Sequence, residues 1–202
     1  MLTSVQMTRT KLIIGLGNPG TEYEKTRHNV GFLFIDYLAS KIKADDFESD
    51  NKLGVILANG SISLKNKTTK LILAKPQSYM NKSGPVVSAL MKKFKLKPEN
   101  IIVVQDDLDI PFGNIKLSFD KNSAGHQGIE SIIKNLKTKK FYRLRIGTQN
   151  KTLQKAHQQS TKKRDEMVKD FVLNKFSPNE QETLTNLYPD VFDRLLSILH
   201  QA

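Results

Sequence analysis

The run KLIIGLG at residues 11–17, followed by NVGFLFIDYLASKI at 29–42, decides the fold. The first is a short, partly β-branched apolar run that stops at glycine and reads as a strand buried on both faces. The second carries its apolar residues at helical spacing. Outward from this pair the alternation recurs. LGVILAN (53–59) and KLILAKP (70–76) read as strands and SGPVVSALMKKFKL (83–96) as a helix. NIIVVQD (100–106) and NIKLSF (114–119) read as strands, GIESIIKNL (128–136) as a helix and YRLRIGT (142–148) as a strand. Apolar strands separated by helices need cover on both sides, so the pattern predicts an α/β domain of three layers with a twisted mixed sheet flanked by helices. A last segment opens with Ser177-Pro178 and repeats apolar residues at Leu184, Leu187, Val191, Leu195 and Leu199, which predicts a C-terminal helix packed on the core.

The chain has 202 residues, 38% of them hydrophobic, enough for one core and short for two, so residues 1–202 are expected to form a single domain. No apolar run approaches the length that spans a bilayer, and MLTSVQMTRTK lacks the apolar middle of a secretory signal; the expectation is a cytoplasmic protein with no membrane partner. Residues 1–9 are expected to be a flexible N-terminus. QNKTLQKAHQQSTKKRDE at 149–166 is polar, basic and aperiodic, and is expected to be a mobile surface insertion. The absence of cysteine excludes disulfides, thiolate nucleophiles and iron–sulfur clusters. A net charge of +12 with a pI near 9.7 favours a polyanionic partner, nucleic acid first, because neutralising phosphates releases condensed counterions.

Gly15, Gly17 and Gly20 have the spacing of a dinucleotide-binding turn. Pro19 lacks the N–H such a turn offers to phosphate, and no second strand ends in an acid about 20 residues on; Asp36 falls inside the helix. The turn instead places Asn18 just beyond the carboxyl end of a strand, where open α/β sheets bind ligands.

Other chemistry converges on that rim. His28 follows Arg27 and precedes a helix that Asn29 is positioned to cap; the neighbouring cation and helix N-terminus favour the neutral imidazole a general base needs, although a structural hydrogen bonder fits the same position. The strand NIIVVQD ends in Asp106, able to accept the second imidazole N–H and fix its tautomer, but Asp106, Asp107 and Asp109 also suit an ordinary acidic turn. As metal ligands these three acids lack a histidine at a fitting spacing. After KLILAKP come Tyr79, Met80 and Asn81, an amide among soft apolar groups that suits a peptide, or a helix cap.

Taken in order, KLIIGLGNPGTEYEKTRHNVGF, LAKPQSYMNKSG, VVQDDLDIPFG, GHQG and FYRLRIG resemble the bacterial-type peptidyl-tRNA hydrolase family from Lys11 through Phe176. The resemblance implies a monomeric α/β fold of the phosphorylase/hydrolase-like kind and hydrolysis of the ester between a peptide and the 3′ ribose of tRNA, with no metal and no cofactor. It implies His28 as catalytic base and Asp106 as its orienting acid. It also implies a substrate cleft with Asn18, Asn81, Tyr23, Tyr79 and Met80, and matches His126 to a family histidine. Gln127 stands where the family has Asn, and DKNSAG at 120–125 replaces a glycine-rich loop. Near the family's basic grip on tRNA stands Ser118, so Lys116, Lys121 and Arg145 are expected to contact tRNA instead, aided by the basic insertion. The rival reading is a catalytically silent RNA-binding module on the same fold.

Overall fold

Strand β1 (Arg9–Gly15) lies at the middle of a sheet completed by β2 (Glu48–Asp50), β3 (Val55–Leu64), β4 (Lys67–Pro76), β5 (Ile101–Pro111), β6 (Ile115–Phe119) and β7 (Tyr142–Gln149). The computed structural model describes residues 9–64, 67–150, 153 and 160–201. The seven strands are ordered β2-β3-β4-β1-β5-β7-β6. β4, β1, β5 and β7 run parallel, and β2, β3 and β6 add antiparallel edges, so the sheet is mixed as expected. The polar three-residue β2 carries no apolar signal and was not anticipated.

Five α-helices among the described residues cover the sheet: α1 (Val30–Ile42), α2 (Ser83–Lys93), α3 (Gln127–Leu136), α4 (Thr161–Leu173) and α5 (Pro178–Gln201). Successive side chains of a strand point to opposite faces, and the two apolar clusters divide accordingly. Ile13 packs with Phe34, Leu38, Val191 and Leu195 of α1 and α5, while Leu12 and Ile14 pack with Val87, Leu90, Ile129 and Ile132 of α2 and α3. This is the three-layer α/β architecture, and it leaves the carboxyl ends of β1, β4 and β5 on one rim.

Two segments differ from expectation. Arg9, assigned to a flexible N-terminus, opens β1, and residues 1–8 lie outside the described residues. The segment 149–166 is not a loop throughout: Gln149 closes β7, and residues from Thr161 onward begin α4, anchored by buried Phe171 and Val172. Apolar side chains at 168 and 172 give α4 one packed side; within 149–166, residues 151–152 and 154–159 lie outside the described residues.

Candidate active site

The glycine-rich turn follows from packing. A Cβ on Gly15 would run into the backbone of Gly31, and one on Gly31 would meet the backbone of Leu16 and Val104, so α1 can lie against the end of β1 only with glycine at both positions. Close packing brings the turn at 27–29 onto β5. Asn29 does not cap α1; its side chain accepts from Asn18 N–H at 2.9 Å and donates to the Asn18 carbonyl at 2.9 Å. Asn18, thus held, accepts the Met80 N–H through Oδ1 at 2.8 Å. A backbone N–H can only donate, so the amide orientation is fixed and the Nδ2 donors remain for the cleft that Asn18 lines.

At the end of β5, buried Asp106 receives two histidines. His28 Nδ1 lies 3.0 and 3.1 Å from its two oxygens, and His126 Nε2 lies 3.0 Å from Oδ1. His126 caps α3, its Nδ1 accepting the Ile129 N–H at 3.4 Å, which leaves the proton on Nε2 for Asp106. Both ring nitrogens of His126 are therefore committed to the protein, and it is Asp106, not a substrate group, that it holds. Burial disfavours the Asp106 carboxylate, but the electrostatic attraction of the two imidazoles and the hydrogen bonds they donate outweigh it and keep its pKa well below the usual range.

Arg27 does not act on His28 as sequence adjacency suggested. Its guanidinium turns away to Glu180, and the carboxylate faces the imidazole instead. Burial pushes the His28 pKa down, while the charge of Asp106 and its hydrogen bond push it up by more, so the value is raised above 6.5 rather than lowered.

His28, Asp106 and His126 each offer one ligand atom, all within 4.8 Å of one another, so histidine partners for the acid do exist, drawn from distant parts of the chain. The donor set fits a divalent ion in kind. In this arrangement, however, both protons shared with Asp106 satisfy the three groups mutually, and an ion would have to displace them.

The three residues open into a cleft of about 730 Å³. Asn18, Tyr79, Met80, Asn81 and Gln127 line it with them, so the expected residues meet in one place. Tyr23 is set behind, edge-on to Tyr79 with ring centroids 6.4 Å apart. An apolar part of the lining, missed from sequence, is Leu108, Leu153 and the α4 residues Val168, Val172 and Leu173. Lys116 and Lys121 are exposed, whereas Arg145 donates from Nε to Asp107 at 2.7 Å, which takes part of its charge out of play.

The family model for peptidyl-tRNA hydrolase matches residues 12–202. The chain belongs to the peptidyl-tRNA hydrolase family. It is 44% identical over 177 residues to the peptidyl-tRNA hydrolase of Aquifex aeolicus, covering 88% of this chain and 83% of the relative. It is 40% identical over 190 residues to that of Metamycoplasma arthritidis, covering 94% and 92%. The crystal structure of peptidyl-tRNA hydrolase from Acinetobacter baumannii superposes with a TM-score of 0.73 at 32% identity, over 96% of this chain and 95% of that one. The resemblance carried by the ordered motifs is thus a property of nearly the whole peptidyl-tRNA hydrolase domain.

Proposed function

We propose that this chain hydrolyses the ester joining a peptide to tRNA, with His28 as general base. The observation that carries the mechanism is the contact of His28 Nδ1 with both oxygens of buried Asp106. With Asp106 ionised, Nδ1 holds the proton and donates it, so the lone pair sits on Nε2. That lone pair takes a proton from a water as its oxygen attacks the ester carbonyl. The tetrahedral intermediate then collapses with loss of the ribose oxygen, which receives the proton back from His28. Nδ2 of Asn18, with the amides of Asn81 and Gln127, binds the peptide and the developing oxyanion.

Under this reading no metal takes part, Lys116 and Lys121 contact the tRNA, and Arg145 does so only through what Asp107 leaves free. One domain acts as a monomer in the cytosol; no helix among the described residues is long and apolar enough to cross a membrane. The test is release of free peptide from peptidyl-tRNA in the presence of EDTA. His28→Ala should lower turnover by about 10²–10⁴-fold, the usual contribution of a positioned base, while tRNA binding persists. A fully active His28→Ala protein refutes the mechanism, and absence of peptide release by the unaltered chain favours the silent RNA-binding module.

A further inference from the structure

Arg27 is among the most heavily bonded side chains of the molecule, and the mechanism makes no use of it. Only 7% exposed, it lies one residue before His28, and its polar contacts all run to a single distant segment. Nη1 donates to the carbonyls of Asn174 and Lys175 at 3.1 and 3.2 Å, and Nη2 makes a fork with Glu180 at 2.8 and 2.9 Å. The guanidinium is stacked over Phe171 and Phe176, 4.5 and 5.3 Å from the ring centroids. Backbone bonds reinforce the junction: Arg27 N–H donates to Asn174, Phe176 N–H donates to Lys25, and Thr26 bridges Lys175.

Residues 174–177 join α4 to α5, so this clamp seizes the C-terminal end of α4. That helix supplies part of the lining of the cleft that holds His28, through Val168, Val172 and Leu173. Among the described residues no side-chain hydrogen bond or ion pair runs from α4 to the sheet; its one salt bridge, Arg164 with Asp165, is internal. Apart from the small apolar cluster with Leu108 and Leu153 and the backbone bonds of residues 25–27, the end of α4 is held by the Arg27 side chain. The contact is directional: the planar guanidinium sends Nη1 to two backbone carbonyls and Nη2 to the Glu180 carboxylate at once, two sets of bonds that the single nitrogen of a lysine cannot span.

We propose that Arg27 is a positioning residue that sets the α4 wall at its distance from His28 and thereby governs binding of the peptide half of the substrate. The proposal rests on the cleft being the peptide site. Loss of the clamp lets the wall drift, which weakens contacts shared by ground and transition state and leaves the His28–Asp106 pair in place.

The test compares Arg27→Met, Arg27→Lys and Glu180→Gln with the unaltered chain, in steady-state hydrolysis of a tRNA carrying a peptide of several residues and of one carrying a single N-blocked amino acid. The expected result is a KM for the longer peptide raised about tenfold in Arg27→Met, with a smaller rise for the single amino acid, kcat within about threefold and an unmoved pH–rate profile. Arg27→Lys should not restore the KM, and Glu180→Gln should move it the same way by less. A fall in kcat with KM unchanged, or a displaced pH profile, overturns the proposal by assigning Arg27 to His28 or to folding alone. If Arg27→Met does not fold, Glu180→Gln decides, since it removes the charge that Arg27 pairs with while its amide oxygen can still accept the Ser177 N–H, and an unchanged KM there is equally fatal. Failure of the cleft reading itself would look different: the unaltered chain would release no peptide, or His28→Ala would be fully active.

Discussion

Replacing Asp106 by asparagine should disarm His28 through its tautomer. Oδ1 of Asp106 accepts from both His28 Nδ1 and His126 Nε2 at 3.0 Å, and Oδ2 lies 3.1 Å from His28 Nδ1. His126 cannot exchange its tautomer, because the Ile129 N–H points at its Nδ1. The amide oxygen of the variant must then occupy the Oδ1 position, shared by His126 and His28, and its NH₂ the Oδ2 position, so that one of the two acceptors of His28 Nδ1 becomes a donor facing it. His28 relieves that clash, and accepts from the NH₂, by carrying its proton on Nε2, and in this tautomer the lone pair that takes the proton from water is gone. The loss should approach the whole general-base contribution, about 10²–10⁴-fold in kcat. The pH dependence has a definite sign. His28 must be unprotonated to act, and Asp106 raises its pKa above 6.5, so activity of the unaltered chain falls as pH drops through that raised value. In Asp106→Asn the two raising influences are removed and burial remains, so the half-point should fall below 6.5 while the plateau is lower. Stability runs the other way: the raised pKa contributes stability fully present below the unfolded value and lost as pH rises through the folded one. The assay is single-turnover release of peptide from peptidyl-tRNA across about pH 5 to 9, spanning the range in which histidine titrates. A plateau within about threefold of the original, or an unmoved half-point, refutes the pairing.

Two further outcomes follow from packing and charge. Gly31→Ala places a methyl group against the backbone of Leu16 and Val104, and should destabilise the fold by about 1–3 kcal/mol or more in urea unfolding, with activity falling as the turn at 27–29 shifts; an unchanged midpoint contradicts the close approach of α1 to β1. Lys116→Ala should weaken tRNA binding and reduce the slope of log affinity against log salt by about one, as loss of a single phosphate contact does; an unaltered slope removes Lys116 from the interface.

The layers and the rim of the site were legible because apolar periodicity reports burial directly. The carboxyl ends of KLIIGLG, KLILAKP and NIIVVQD predicted that Asn18, the 79–81 segment and Asp106 would meet, and they line one cleft. Side-chain partners were less legible, since sequence adjacency is a poor guide to them. Arg27 was read as a cation beside His28, yet the helical turn at 27–29 sends the two side chains apart, one to Glu180 and the other to Asp106. Asn29 was read as a cap because it precedes a helix, whereas both of its amide atoms are used on Asn18. The polar run at 149–166 concealed the start of α4, whose apolar residues begin only at Met167 and whose packing depends on Leu108 and Leu153, outside the helix. A short amphipathic stripe within a basic stretch becomes readable once its partner surface is known.

The charge on the chain and the charge available at the cleft are different quantities. Of the basic residues near β6 and β7, Arg143 is buried and donates to the Asn122 carbonyl, its pKa lowered by burial and by Arg145. Arg145 is held by Asp107. Ser118 pairs across the strands with Arg143, and Lys116 with Arg145. Side chains opposed in this way share a face, so a lysine at 118 would set a second cation against a buried arginine whose ionisation is already disfavoured. Serine at 118 and the buried Arg143 are therefore mutually consistent, and under the proposed function the exposed cations left for phosphate are Lys116, one alternation along the same face of β6, and Lys121 beyond its end. On that proposal the serine at 118 shifts the available positive charge along β6, while the rim that carries His28 and Asp106 is built from other elements, the turn at 27–29 and the end of β5.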